Sequence, residues 1–320
     1  MHRTGIAADP SVKDHDTGRA HPEHAARYDA VIRQFQSSGI FRDLASIDVR
    51  PAADDELALV HTREYIALVK DEISGGRLEL STGDTNVSAG SLRGARAAAG
   101  SVLSAVDAVF SGAAGNAFCV VRPPGHHASA DRGMGFCVFN NIALGARYAQ
   151  QKFHAGRVLI ADWDVHHGNG TQDIFYRDGS AFFFSTHQSP WYPGTGDASE
   201  HGEGAGEGTT LNCPLPAGSG REQIFEAFQS KLFPAAEKFR PDLILISAGF
   251  DSRAGDPLGQ FLLTDDDFHE LTGMMMDLAA RYCDGRLISV LEGGYDLDGL
   301  CRASEAHVSA LLGIKRSSAA

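Results

Sequence analysis

The chain has 320 residues, 43 % hydrophobic and 22 % charged, the balance of a globular protein with a large core and not of a disordered one. Its formal charge of −13 argues against direct nucleic-acid binding, and no apolar stretch is long enough to cross a membrane, since the alanine-rich run 95–121 is broken by Asp107 and several glycines. Five cysteines, odd in number and never in a C-x-x-C pair, and a polar N-terminus without a signal-peptide core point to reduced core thiols in a cytoplasmic protein.

From His21-Pro22-Glu23 the spacing of Ala26, Val31, Ile32 and Phe35 predicts a helix to about Phe35, and a second is expected from Thr62 to Ile73. His21, His24 and His61 are read as structural or rim residues. Gly83-Asp84-Thr85-Asn86 is loop chemistry, with Asp84 a cap by default, and Ser88 to Phe110 is a long helix closed by Gly112. Short apolar runs then alternate with helical patterns. Strands are expected at Phe118–Val121, Val158–Ala161, Ala181–Ser185, Leu243–Ser247 and Leu287–Leu291, with another at Thr209 to Pro214; helices are expected near 140–153, 221–239, 265–283 and 298–312. This rhythm specifies an α/β fold, a single domain over 1–320 in which a mainly parallel β-sheet is flanked by helices. Thr264 followed by Asp265, Asp266 and Asp267 fits an N-cap with first-turn acids. Gly202, Gly204, Gly206 and Gly208 imitate a nucleotide loop, yet Glu203 and Glu207 would repel phosphate and no helix follows, so a mobile surface loop is expected.

The reactive residues follow the strands. In open parallel sheets the ligand crevice lies beyond the carboxyl ends of the strands, so all five groups land on one edge. After the second core strand, Asp162, Asp164 and His166 alternate onto one side of an extended backbone and suit zinc or a similar divalent ion. Asp251 supplies a third ligand with Asp164 and His166, which leaves Asp162 a supporting role. His126 and His127 would point to opposite faces of an extended chain, but the Pro123-Pro124-Gly125 turn can bring both into one pocket as general base and acid. Tyr295 follows Gly293-Gly294, whose missing Cβ atoms leave room for its approach, and its hydroxyl suits an oxyanion. Solvated acids at a strand end, an incidental histidine pair and a core tyrosine would explain each feature singly; their convergence favours catalysis. No G-x-S-x-G elbow, P-loop or H-E-x-x-H is present, which leaves metal-activated water attacking a carbonyl.

Arg122-Pro123-Pro124-Gly125-His126-His127, Met134-Gly135-Phe136-Cys137-Val138-Phe139-Asn140-Asn141, Asp162-Trp163-Asp164-Val165-His166-His167-Gly168-Asn169-Gly170, Ser247-Ala248-Gly249-Phe250-Asp251 and Leu291-Glu292-Gly293-Gly294-Tyr295 together resemble the zinc-dependent histone deacetylase family. The wording is similar to the class II branch and its bacterial histone deacetylase-like amidohydrolases, over about His21 to Leu312. The resemblance implies an arginase/deacetylase fold, one catalytic Zn²⁺ on Asp164, His166 and Asp251, and a tunnel for acyl-lysine flanked by Phe136 and Tyr192, with the Gly135 carbonyl receiving the substrate amide. It implies His127 as proton shuttle, His126 as electrostatic aid and Tyr295 as oxyanion donor. Asp162 is expected behind His126 and Asn169 behind His127; where some relatives carry aspartate, the asparagine leaves His127 less basic. A structural K⁺ is implied near Asp162, Asp164, His166, Ser185 and Thr186, and a second on carbonyls around Phe175, Asp178 and Ala181. Leu258 stands where polyamine-specific relatives place an acidic gate, and Asp84 aligns with the rim loop that binds a peptide backbone. The expected partner is an acylated lysine in a peptide or protein, with a small acylated amine as alternative; a non-catalytic acyl-lysine binding module is the alternative of another class. An arginase-like two-manganese ureohydrolase lacks part of its second ligand set here. A homo-oligomer is allowed.

Overall fold

The computed structural model describes residues 3–315. Runs such as Val158–Asp162, Leu243–Ala248 and Leu287–Leu291 are apolar almost throughout and buried on both faces, the pattern of strands covered by helices on each side. They form β4, β7 and β8 of one eight-stranded sheet. The other strands are β1 (Thr4–Ala7), β2 (Ala45–Ser46), β3 (Asn116–Cys119), β5 (Ala181–Gln188) and β6 (Thr210–Leu215). The order is β2-β1-β3-β8-β7-β4-β5-β6, and every pairing is parallel.

Parallel strands need crossovers, and the helices supply them. They are α1 (Ala26–Ser37), α2 (Asp54–Leu57), α3 (Arg63–Ser74), α4 (Ser91–Phe110), α5 (Asn141–Phe153), α6 (Asn169–Phe175), α7 (Arg221–Glu226), α8 (Phe233–Phe239), α9 (Asp265–Tyr282) and α10 (Leu297–Leu311). Helices α4 and α5 pack on one another and against central strands, while α10 packs on α1, α9 and β3. The small residues of α4 serve this contact: Ala97, Ala98, Ala99 and Gly100 are all buried. The Thr264 side chain accepts from the Asp267 amide and the Asp267 carboxylate returns the bond, the capping box expected of that cluster.

Several expectations need correction. Thr4–Ala7 and Ala45–Ser46 were not anticipated as strands, because runs this short carry little periodicity. Helix α1 begins at Ala26, not His21, which frees Glu23 to turn its carboxylate into the interior. The 221–239 helix is interrupted by a π-helical stretch at Ala227–Leu232. The glycine-rich loop is tied down: Glu203 donates its amide to the Tyr176 carbonyl at 2.8 Å, and Gly208 to His201 at 2.7 Å. All five cysteines are free thiols, four of them buried. Among the described residues no helix is long and apolar enough to cross a membrane.

Candidate active site

Because the sheet is wholly parallel, the loops after β3, β4, β7 and β8 leave from one edge, and these four strands are neighbours in the order β3-β8-β7-β4. Residues separated by up to 170 positions along the chain are thereby brought together. Past β4 the backbone curls through two side-chain turns. Asp162 Oδ1 accepts from the Asp164 amide at 3.0 Å, and Asp164 Oδ1 accepts from the His166 amide at 2.9 Å. Asp162 is thus drawn toward His126, while Asp164 and His166 face Asp251. The simple alternation of an extended strand, which would have aligned all three, ends at Asp162.

Asp164, His166 and Asp251 are buried, and their ligand atoms lie within 4.8 Å of one another. His166 Nδ1 is 2.9 Å from Asp164 Oδ1 and 3.3 Å from Asp251 Oδ2. The Val165 amide fixes Asp251 Oδ1 at 2.9 Å, and the Gly293 amide fixes Asp164 Oδ2 at 2.8 Å. Asp251 Oδ2 is buried with no hydrogen-bond partner. Two carboxylates and an imidazole aimed at one point, with an acceptor left unsatisfied, fit a divalent cation of the zinc type. No second such group gathers among the described residues. The space left by Gly293 belongs to these carboxylates: a Cβ there would collide with Asp251 and Asp164. Its glycine is thus required by the ligands and not by movement of Tyr295.

The turn after β3 does place both histidines in the site, with ring centroids 4.0 Å apart. Their surroundings differ sharply. His126 Nδ1 lies 2.9 Å from Asp162 Oδ2; burial opposes its charge, but Asp162 and Asp164 overcome that and raise its pKa to about 10. His127 is buried too, and burial first and the neighbouring His126 and His166 next oppose its charge, so its pKa falls well below the ordinary value. Its Nδ1 lies 2.8 Å from Asn169 Oδ1, an acceptor, so Nδ1 carries the hydrogen and Nε2 offers a lone pair. One imidazolium and one neutral imidazole therefore stand side by side. Glu292, which motif reading left without a role, fixes this turn by accepting from the Gly125 amide at 2.6 Å and the His126 amide at 3.2 Å.

A cavity of about 210 Å³ leads to this floor. His127, His166 and Tyr295 line its base; Gly135, Phe136, Tyr192, Trp191, Leu258 and Asp84 form its walls and mouth. Phe136 adopts φ 68°, a conformation that side chains avoid, after Gly135 at φ 58°, where a Cβ would collide with the His127 ring. The result presents the Phe136 ring edge-on to Tyr295. Burial pushes the Tyr295 phenol well above 10, so it remains a donor. Asp84 is not a helix cap: it accepts from the Gly135 amide at 2.7 Å and from the Tyr192 hydroxyl at 3.3 Å, and so joins the two tunnel walls. Trp191 was missed; its indole donates to the Leu258 carbonyl at 2.8 Å. A tryptophan beside a tyrosine in a long loop carries no periodic signal, so only its position reveals it.

His21 packs edge-on against Phe136 at the rim, and His61 is buried, accepting the Asn140 amide at 2.9 Å. Ser185 and Thr186 are buried on β5, where Ser185 Oγ meets His187 Nδ1 at 3.0 Å and Thr186 Oγ1 has no partner. The Phe175, Asp178 and Ala181 segment is a turn in which the Asp178 amide donates to the Phe175 carbonyl at 2.9 Å, and the Asp178 carboxylate pairs with Arg147. Two buried arginines brace the site from behind. Arg122, four residues before His126, is buried and bound through two nitrogens to Glu23, at 2.8 and 2.9 Å. Arg27 donates to the Gly294 carbonyl at 2.7 Å and lies 5.0 Å from the Tyr295 ring centroid.

Known proteins resemble this chain in sequence and in fold. A family model described as the histone deacetylase domain matches residues 21–311. The chain is 42 % identical over 310 residues to "Histone deacetylase 10, chloroplastic" of Oryza sativa subsp. japonica, covering 92 % of this chain and 70 % of that one. It is 42 % identical over 261 residues to the histone deacetylase-like amidohydrolase of Pseudomonas aeruginosa, covering 81 % of this chain and 68 % of that one. The crystal structure of the HDA15 HD domain superposes with a TM-score of 0.92 at 38 % identity, covering 99 % of this chain and 92 % of that one. The fold, the order of the motifs and the shared sequence from residue 21 onward have one explanation: this chain is a member of the histone deacetylase family of hydrolases.

Proposed function

We propose that the protein is a zinc-dependent amidohydrolase that removes acetyl or another short acyl group from lysine side chains of peptides or proteins. The observation that carries this reading is geometric: His126, held by Asp162, and His127, held by Asn169, stand beside one two-carboxylate, one-imidazole cluster at the base of a narrow cavity that Tyr295 also lines. Asp164, His166 and Asp251 would hold the metal, which when bound supplies Lewis acidity and lowers the pKa of the attacking water.

The chain's own groups account for the proton transfers. His127 Nε2 takes a proton from water as it attacks the acyl carbon, and delivers it to the lysine nitrogen as the C–N bond breaks; the remaining acid proton passes to the amine, leaving a carboxylate and a lysine ammonium. His126 stays cationic through Asp162 and stabilises the negative charge that develops. Tyr295 donates to the former carbonyl oxygen, an interaction typically worth about 3 kcal/mol in the transition state. Phe136 and Tyr192 would enclose the aliphatic chain, the Gly135 carbonyl would receive the substrate amide, and Asp84 at the mouth would accept from a peptide backbone. Apolar Leu258 at the rim favours acyl-lysine over a cationic polyamine. A structural K⁺ near Asp162, Asp164, His166, Ser185 and Thr186 is a separate proposal, supported by the motif resemblance and by the register that sets Asp162 beside Ser185.

The test is kcat/KM across acetyl-lysine peptides and acetylpolyamines with zinc content measured on the same sample. Peptides should be preferred, and Tyr295→Phe should lower kcat by roughly 10²- to 10³-fold. Absence of hydrolysis of either class by zinc-loaded protein would overturn the assignment.

A further inference from the structure

Asp256 lies outside the metal cluster and outside the tunnel lining, yet the residue is buried, only 8 % exposed. Burying a carboxylate is unfavourable unless its lone pairs are satisfied, and here three backbone amides satisfy them. Oδ2 accepts from the Tyr295 amide at 2.7 Å and the Asp296 amide at 3.2 Å. Oδ1 accepts from the Leu258 amide at 2.9 Å. One side chain therefore joins the wall of the tunnel to the segment that carries the tyrosine.

The two oxygens divide the work. Leu258 is a wall residue whose carbonyl is already held by Trp191 at the mouth, so its amide is the free end of that wall. Tyr295 follows Gly293, whose amide is held by Asp164, and Gly294; Arg27 holds the segment further by its carbonyls, at Gly294 and Glu292, and Asp256 holds it by the amides of Tyr295 and Asp296. Asp296 is the N-cap of α10, so the same carboxylate also faces the positive end of a long helix, which favours its charge. The segment is thereby pinned from opposite sides, with Tyr295 between the pins.

We propose that Asp256 is a positioning residue for the reaction, whose carboxylate couples the Leu258 wall of the substrate tunnel to the backbone that aims the Tyr295 hydroxyl. The inference rests on the reading of Tyr295 as oxyanion donor. A mere loop anchor would need only one acceptor. Here the two sides are met by different oxygens, and an asparagine offers a single acceptor oxygen in nearly the same volume, so it can serve one side but not both.

Asp256→Asn is the variant of choice. Its kcat on an acetyl-lysine peptide should fall about tenfold while KM changes less than about threefold, since an interaction made only in the transition state is lost. In a Tyr295→Phe background the same substitution should change kcat less than about twofold, because its effect passes through the hydroxyl. Unchanged kcat, or a full tenfold loss in both backgrounds, would overturn the proposal. A second measurement needs neither turnover nor a variant that folds. In the zinc-loaded parent protein, hydrogen exchange at single-amide resolution should show Leu258, Tyr295 and Asp296 protected to the same degree, within about threefold, because one group holds all three. Protection of one side without the other would overturn the bridge even if the enzyme is active; equal protection in a protein that hydrolyses no acyl-lysine would refute the proposed substrate and leave the bridge standing.

Discussion

Glu23→Gln should destabilise the protein severely, although the residue touches neither ligand nor substrate. The Glu23 side chain is fully buried and is met by Arg122 through two nitrogens, by Arg27 at 3.2 Å and by His15 at 3.6 Å. Burial opposes its charge, and Arg122, His15 and Arg27 more than compensate, holding its pKa at about 2 against an ordinary 4.5. At about 1.36 kcal/mol per pH unit, that interval corresponds to roughly 3 kcal/mol of stability at neutral pH. Removing one partner of a buried pair typically costs about 3–5 kcal/mol, which agrees. Because the folded-state pKa is depressed, the contribution is complete above about 4.5 and is lost as pH falls toward about 2. Urea unfolding of parent and variant should therefore differ by the full amount at pH 7 and at pH 5.5. The difference should narrow by up to about 1.4 kcal/mol at pH 3.5. His15, held near 4 chiefly by burial, charges in the same interval and retains part of the attraction to Glu23, so the narrowing has that upper bound. A difference under about 1 kcal/mol at pH 7, or one that widens as pH falls, would refute the reasoning.

Three shorter predictions concern the site. Asn169→Asp places an anion where an amide now sits 2.8 Å from His127 Nδ1, and an opposite charge at that range raises a histidine by about 1–3 pH units. The base must be neutral to act, so the acid limb of the kcat/KM–pH profile should move to higher pH; an unmoved limb excludes Asn169 as a determinant of His127 basicity. Chelation should lower the thermal midpoint and added zinc restore it, since a ligand at about 1,000 times its Kd stabilises by about 4 kcal/mol. Asp251→Asn should abolish that response, and a variant that still answers to zinc would remove Asp251 from the ligand set. Leu258→Glu should shift the ratio of acetylpolyamine to acetyl-lysine kcat/KM upward by roughly five- to tenfold, the scale of one partly exposed ion pair; an unaltered ratio would discard the rim argument.

Much of this was legible in the chain because it is local. Apolar runs separated by helical periodicity announced a parallel sheet, and a parallel sheet places every strand's exit on one edge, so the convergence of His126, Asp164, Asp251 and Tyr295 followed before any coordinates. Thr264 with Asp267 was readable for the same reason, since a capping box spans four consecutive residues. The resemblance of the motifs to histone deacetylases then named roles that spacing could not. What only the tertiary structure decided are the contacts between segments remote in sequence. Asp84 reads as a cap from its neighbours and acts as a clasp because Gly135 and Tyr192 lie across from it. Glu292 reads as one letter of a motif and proves to fix the histidine turn, 166 residues away. Glu23 reads as the start of a helix and is instead the buried counter-charge of Arg122. Asp256 carries no signal in the sequence, and its second oxygen reaches Tyr295. Hydrogen bonds and ion pairs act only over a few ångströms in space, and a single sequence records proximity along the chain alone, so the local devices could be read there and the partners of these carboxylates could not.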